Sequence, residues 1–179
     1  MARTLHIRRV LLDEANAFVA QHHSHHDPVQ GLRFALGCFE GERLCGVAIV
    51  GRPVARRLPQ ETWVEVTRCC TDRTRHAASM LYAAAARAAF ALCFERIFSD
   101  VTEEELGTSL LAAGWTLCTD EDGAPLKCGH AQGSLGWDSR ERTEPMAGAL
   151  GLDPKHVGGF KHRYYRDHPE LNVIQRKAG

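Results

Sequence analysis

Between an apolar strand and a long alanine-rich helix, the sequence reads Thr71-Asp72-Arg73-Thr74-Arg75-His76-Ala77-Ala78-Ser79. At such a junction the first N–H groups of the helix lack intrahelical partners, and the helix dipole adds partial positive charge. Small residues let phosphate oxygens approach that backbone while Arg73 and Arg75 add two cations, which is the make-up of an anion site. In the purely structural alternative, Asp72 and Thr74 cap the helix and both arginines are solvated. Upstream, Glu65 stands between Val64 and Val66 inside a strand, where an unpaired carboxylate loses its hydration. Burial raises a carboxyl pKa toward neutrality, as base catalysis wants; a salt bridge with Arg68 or another arginine is the alternative. His22-His23-Ser24-His25-His26-Asp27 gathers four imidazoles at a helix end. If the helix continues, His22 and His26, or His23 and His26, share a face able to start a divalent-metal site. The same imidazoles, His23 among them, suit acid–base work beside a substrate, whereas exposed histidines ending a helix before Pro28 need neither role.

The elements that must position these groups follow from periodicity. Thr4–Val10 is β-prone and leads into a helix over Leu11–His23, with Ala15, Phe18, Val19 and His22 at helical spacing. Leu32–Phe39 and Leu44–Val50 form a hairpin around Glu40-Gly41-Glu42-Arg43. Arg52–Pro59, with two prolines and three arginines, is a loop. Thr62–Cys70 alternates as a strand, with Trp63, Glu65, Thr67 and Cys69 on one face. Ala77–Phe94 is a helix with Leu81, Ala85, Ala88 and Leu92 along one stripe. Arg96–Val101 is a buried-type strand, Leu106–Ala113 a helix closed by Gly114, and Trp115–Cys118 a further strand. This order gives an α/β mixed sheet flanked by helices. Ser134–Asp138 is a candidate last strand and Met146–Leu150 a candidate helical turn. Residues 1–139 are therefore expected to form the domain, with 140–179 an irregular basic C-terminal extension.

Twenty-two basic and 22 acidic residues cancel, which argues against a generically sticky nucleic-acid or membrane binder. The cancellation hides segregation: residues 52–75 carry six arginines against three acids, and 155–179 six Lys/Arg against two. Basic stretches near a site attract phosphates. Seven cysteines without a CxxC pair argue against a disulfide scaffold and for a reducing, cytoplasmic setting. No signal peptide is expected from MARTLHIRRV, and no apolar run approaches the ~18 residues of a membrane span.

The element order and the loop together resemble the GNAT (Gcn5-related N-acetyltransferase) acyltransferases. Their signature at this place is Arg/Gln-x-x-Gly-x-Gly/Ala, and here it reads Arg73-x-x-His76-x-Ala78, with His76 where the family has its middle glycine. The resemblance implies an enzyme with an acetyl-CoA or related acyl-CoA donor, its pyrophosphate held along Cys70, Arg73, Arg75, His76, Ala77, Ala78 and Ser79. It also implies an acyl group lying beside the fourth strand, where a carboxylate often serves as base, the place held by Glu65. The family acid is a tyrosine four residues before the glycine closing its fourth helix. Leu110 stands there, leaving Ser109 and Tyr82 as neighbouring hydroxyls, with a helix-surface residue and a core anchor as their ordinary readings.

The blocks HHSHH, VGRPVAR (50–56), EVTRCCTD (65–72), AASMLYAAAARAA (77–89), GTSLLAAGW (107–115) and a late Gly-x-x-x-Trp resemble a phage and prophage offshoot related to the Mom DNA-modification proteins. That resemblance implies adenine modification in double-stranded DNA and a link to iron. Phosphate contacts would come from Arg52, Arg56, Arg57, Lys161, Arg163 and Arg166, with Tyr164 and Tyr165 stacking on exposed bases. Three classes follow: a DNA-modifying transferase, an ordinary N-acetyltransferase acting on a small amine, protein or aminoacyl-tRNA, and a catalytically inert binding module. DNA affinity separates the first two, and CoA affinity without turnover marks the third.

Overall fold

The computed structural model describes residues 4–22, 28–102, 105–128 and 161–170. Chain order is β1 (Leu5–Arg9), α1 (Leu12–His22), β2 (Phe34–Glu40), β3 (Arg43–Gly51), β4 (Trp63–Thr71), α2 (Ala77–Ala91), β5 (Arg96–Thr102), α3 (Thr108–Ala112), β6 (Thr116–Leu117), β7 (Lys127–Cys128) and β8 (Lys161–Asp167). The strands make one sheet in the order β1-β2-β3-β4-β5-β8-β6, with β7 paired to β8. Among the described strands only β4 and β5 pair in parallel, as the α2 crossover between them requires.

Two cores cover the two faces. α2 lays Leu81, Ala85 and Ala89 against Val64, Val66, Ile97 and Tyr164. α1 lays Ala15, Phe18 and Val19 against Val47, Ile49 and Cys70 on the other face. The alanines of α2 bring it close to the sheet, while the expected stripe fails at its end because Leu92 lies past the helix and is exposed. Gly114 takes the left-handed conformation that closes α3, with its amide returning to Leu111.

One irregularity in β4 matters for the site. Val50 pairs with Val66 but Ile49 pairs with Arg68, so Thr67 is an extra residue, a β-bulge. The bulge resets the alternation. Glu65, opposite Gly51, shares a face with Arg68 and Cys70, whereas Cys69 packs toward α2. The unbroken alternation expected over 62–70 is corrected accordingly.

Within residues 140–179, expected to be irregular, Lys161–Asp167 is a seven-residue strand between β5 and β6. Its polar face (Lys161, Arg163, Tyr165, Asp167) alternates with His162, Tyr164 and Arg166. Paired charges rather than apolar residues fill half of that alternation, which masks it from a hydrophobicity reading. The candidate elements at 134–138 and 146–150 lie outside the described residues.

Candidate active site

Glu65 is only 9% exposed, on the sheet face that α1 also covers further along. One of its carboxylate oxygens accepts the Val54 amide at 2.7 Å, from the loop between β3 and β4. Burial pushes the carboxyl up to about 7; the Val54 amide opposes the rise, Asp100 adds to it, and Arg163 and Lys161 oppose it. Arg68, the salt-bridge partner considered from sequence, sends a guanidinium N–H to the Thr67 carbonyl at 2.7 Å.

Around Glu65 the strands β4, β5 and β8 form a lattice of charge and aromatic rings. Arg163 grips Asp100 through two bonds of 2.7 Å and lies 4.4 Å over the Phe98 ring. Arg96 grips Asp167 at 2.5 and 2.9 Å while sitting between Trp63 and Tyr165, 4.5 and 4.4 Å from their centroids. Forked guanidinium–carboxylate pairs fix both partners in one plane, so this floor is rigid.

Immediately past Glu65 the sheet forks. β4 pairs with β5 only at Trp63–Arg96, Val64–Ile97 and Glu65–Phe98. Beyond that β4 stays with β3 as far as Thr71, and β5 stays with β8 as far as Thr102. Ser99 Oγ reaches the Val66 carbonyl across the fork at 3.4 Å.

The fork points toward the loop Thr71–His76. Arg73 and His76 both have left-handed backbones, φ 70° and 67°. His76 thus occupies the conformation for which glycine is suited, at the position where the resembled signature carries glycine. The first turn of α2 has no side-chain cap, so Asp72 is not the cap considered from sequence. Asp72 instead turns the loop by accepting the Thr74 amide at 3.0 Å, and Arg43 anchors it through Asp72 and Glu40. Burial pushes the Asp72 carboxyl up, but the Thr74 hydroxyl and amide and the Arg43 guanidinium together hold it below its ordinary value. Arg73, Arg75 and His76 are exposed, Ala77 is buried, and Ala78 and Ser79 are half-buried. Ser79 donates to the His76 carbonyl at 3.0 Å. An open groove of about 590 Å³ runs beside the loop, lined by Leu5, Glu40, Thr74, Arg75, His76 and Met80.

The remaining expected residues scatter. Tyr82 is buried on the α2 face, edge-on to Trp115 at 5.5 Å, and its hydroxyl bonds the Cys69 thiol and Ser99. Burial pushes that hydroxyl well above its ordinary value. Ser109 is half-buried on α3, Leu110 is core, and Cys70 packs under α1 rather than toward the loop. His22 tilts against Phe18 at 4.3 Å, and His23 and His26 lie outside the described residues. Among the described residues no group of three His, Cys, Asp or Glu side chains could hold a metal ion, and no helix is long and apolar enough to cross a membrane. Of the basic set, Arg52, Arg56, Arg57 and Lys161 are exposed. Arg163 is bound to Asp100, Arg166 donates to the Ala113 carbonyl at 3.2 Å, and Tyr164 is core. Sequence reasoning missed Asp100, Arg163 as its partner, Ser99 and Arg43. The alternation in KHRYYRD, with Arg96 and Asp100 in RIFSDVT at the same spacing as Arg163 and Asp167, was the available signal for the first two.

No protein-family model matches the sequence, and no curated protein does either. Solved structures do. A Bacillus subtilis acetyltransferase in complex with CoA superposes with TM-score 0.57 at 12% identity, over 92% of this chain and 99% of that one. A Drosophila melanogaster polyamine N-acetyltransferase gives 0.57 at 11% identity, over 92% and 100%. A Desulfovibrio desulfuricans protein assigned to the GNAT family gives 0.55 at 13% identity, over 92% and 99%. The mixed sheet and the flanking helices are those of a GNAT acetyltransferase fold.

Proposed function

We propose that the protein is an acetyl-CoA-dependent N-acetyltransferase acting on an amine, with Glu65 as general base and Arg73–Ser79 as the pyrophosphate loop. The observation that carries this reading is a buried carboxylate at the point where β4 and β5 part, in line with an uncapped helix start. A relative in fold binds CoA, and a second acetylates polyamines.

The residues fit the donor. Left-handed backbone at Arg73 and His76 turns the loop, the start of α2 has no side-chain cap although the Ala77 amide meets the Thr74 carbonyl at 3.2 Å, and two exposed arginines add charge. The unpaired edge of β4 beyond Glu65 offers backbone groups to an extended amide-bearing arm. When bound, the donor supplies the acyl group and a thiolate leaving group. Glu65 takes a proton from the incoming ammonium, so that its nitrogen lone pair can attack, and a carboxyl poised at about 7 is ionised often enough at neutral pH to do so. The Val54 amide fixes which oxygen of Glu65 remains for the substrate. A thiol pKa of ~8.5 makes the leaving group competent with little acid assistance, consistent with Leu110 at the place of the family tyrosine.

Modification of a DNA base, the reading suggested by the Mom-like blocks, draws support from Arg52, Arg56, Arg57 and Lys161 alone, since Arg163, Arg166 and Tyr164 serve the sheet. One experiment decides. Purified protein with acetyl-CoA and an amine library, read by thiol release and product mass, should yield an acetylated amine, while nucleosides from DNA of expressing cells keep their masses. Modified nucleosides without amine acetylation would overturn the proposal, and CoA binding without any product would leave a binding module.

A further inference from the structure

The loop that carries Val54 onto Glu65 is internally braced. Pro53 is buried, Gln60 donates to the carbonyls of Ala55 and Leu58 at 3.1 and 3.0 Å, and Leu58 closes a turn onto Ala55 at 3.0 Å. From this loop Arg52, Arg56 and Arg57 project into solvent. Lys161 lies on the face of β8 shared with Arg163 and is near enough to Glu65 to lower its proton affinity. The acids that could neutralise these cations are engaged elsewhere: Asp100 with Arg163, Asp167 with Arg96, and Glu61 with Arg33 at 3.7 Å. Among the described residues, the loop that meets Glu65 through Val54 and the neighbouring strand β8 therefore carry four exposed cations, none of them in an ion pair.

Resting on the acetyltransferase reading, we infer that the acceptor is an amine that also bears an anionic group, a phosphate or carboxylate, which the Arg52–Arg57 loop and Lys161 hold while its nitrogen reaches Glu65. A polycation such as a polyamine would be repelled by the same groups, so this site would differ in acceptor from the Drosophila enzyme of the same fold. A cationic approach also favours the neutral form of the amine, the form that attacks. No bond beyond the amide is formed; the anion only orients.

The test uses the full chain saturated with acetyl-CoA, so that the donor site is occupied, and matched amines: ethanolamine with O-phosphoethanolamine, pentylamine with 6-aminohexanoate, and tripeptides with acidic or basic second residues. Binding is read by calorimetry and turnover by thiol release. The anionic member of at least one pair should be preferred by tenfold or more in kcat/KM, and the preference should shrink between 20 and 300 mM salt, roughly from a ~20 Å to a ~6 Å screening length. Arg56→Gln/Arg57→Gln should collapse the ratio within that pair, and Arg56→Lys/Arg57→Lys should restore most of it, which a merely structural role would not do. Phosphate and carboxylate members separate the two anion sources, and a double-stranded DNA oligonucleotide as competitor separates a polyanion from both. Equal or inverse preference in every pair, or a preference indifferent to the glutamine variant, overturns the inference. Anionic amines that bind but release no thiol sink the acetyl-transfer reading and the acceptor with it, whereas turnover of amines without any anionic preference sinks the inference alone.

Discussion

Under the proposed function, Glu65 and the loop Thr71–His76, which belong to one continuous stretch of chain, would be prepared for chemistry in opposite ways. Glu65 is a side chain whose surroundings do the work: an apolar strand removes water, and a single backbone amide and a ring of paired charges set what remains. The loop is backbone prepared by geometry: two non-glycine residues in left-handed conformation, an uncapped helix start, and Arg43 holding it through Asp72. Burial tunes a proton equilibrium; backbone placement tunes an anion's fit. A substitution should therefore expose itself in pH dependence at the first region and in ligand-linked stability at the second.

The largest effect belongs to Glu65→Gln. The amide keeps an oxygen for the Val54 N–H but accepts no proton from substrate, so turnover should fall by ~10²–10⁴-fold with CoA affinity near wild type. Stability should move the other way. Folded Glu65 titrates at about 7 against 4.5 for an ordinary carboxyl, so the folded state keeps a proton that the unfolded chain gives up between those values. Its contribution to stability is thus present below about pH 4.5, declines as pH rises to about 7, and is flat above. At 1.36 kcal/mol per unit the loss is of order 3 kcal/mol. Denaturant titrations should find Glu65→Gln more stable than wild type at pH 8 and close to it at pH 4.5. A variant less stable at both pH values would make Glu65 a structural ion-pair partner.

In the loop, a CoA concentration a hundred times its Kd should stabilise the wild type by ~2.7 kcal/mol, seen as a rise in Tm. Arg73→Ala should abolish most of that rise and leave the apo Tm nearly unchanged, because Arg73 is exposed. His76→Gly tests the backbone. Removing the side chain from a left-handed position should raise apo stability by ~1 kcal/mol, without the loss a helix-start glycine would otherwise bring. A fall in stability would mean that His76 is held in place by contacts of its own.

How much was legible in the sequence follows the same division. The strand–loop–helix order and the buried carboxylate could be read because alternation and helical spacing are local signals. The bulge at Thr67 could not, since an inserted residue leaves composition and local hydrophobicity unchanged while reversing every side chain after it. β8 was missed for a related reason: Arg163 and Asp167 look like solvated tail residues until their partners on β5, more than sixty positions away, are known. Tyr82 offered a hydroxyl at a plausible distance in sequence, yet helical phase turns it into the α2 core, away from the face of Glu65.

The smallest expected effect concerns the Asp100–Arg163 pair, the link between the missed strand and the proposed base. Asp100 raises the Glu65 carboxyl and Arg163 lowers it, so removing one or the other should move the pH–rate profile in opposite directions. With Asp100→Asn the acid limb of kcat/KM should shift to lower pH by a few tenths of a unit, because the anion is gone and Arg163 is released toward Glu65. With Arg163→Gln it should shift upward by a similar amount. Each single change also breaks a forked, mostly buried pair and should lower stability by ~1–3 kcal/mol, so the profile, measured well below the Tm of each variant, is the informative reading. Both limbs moving the same way would trace the shift to general loosening of β5 and β8 rather than to charge. Opposite movements would identify the C-terminal strand as part of the catalytic electrostatics and not only of the sheet.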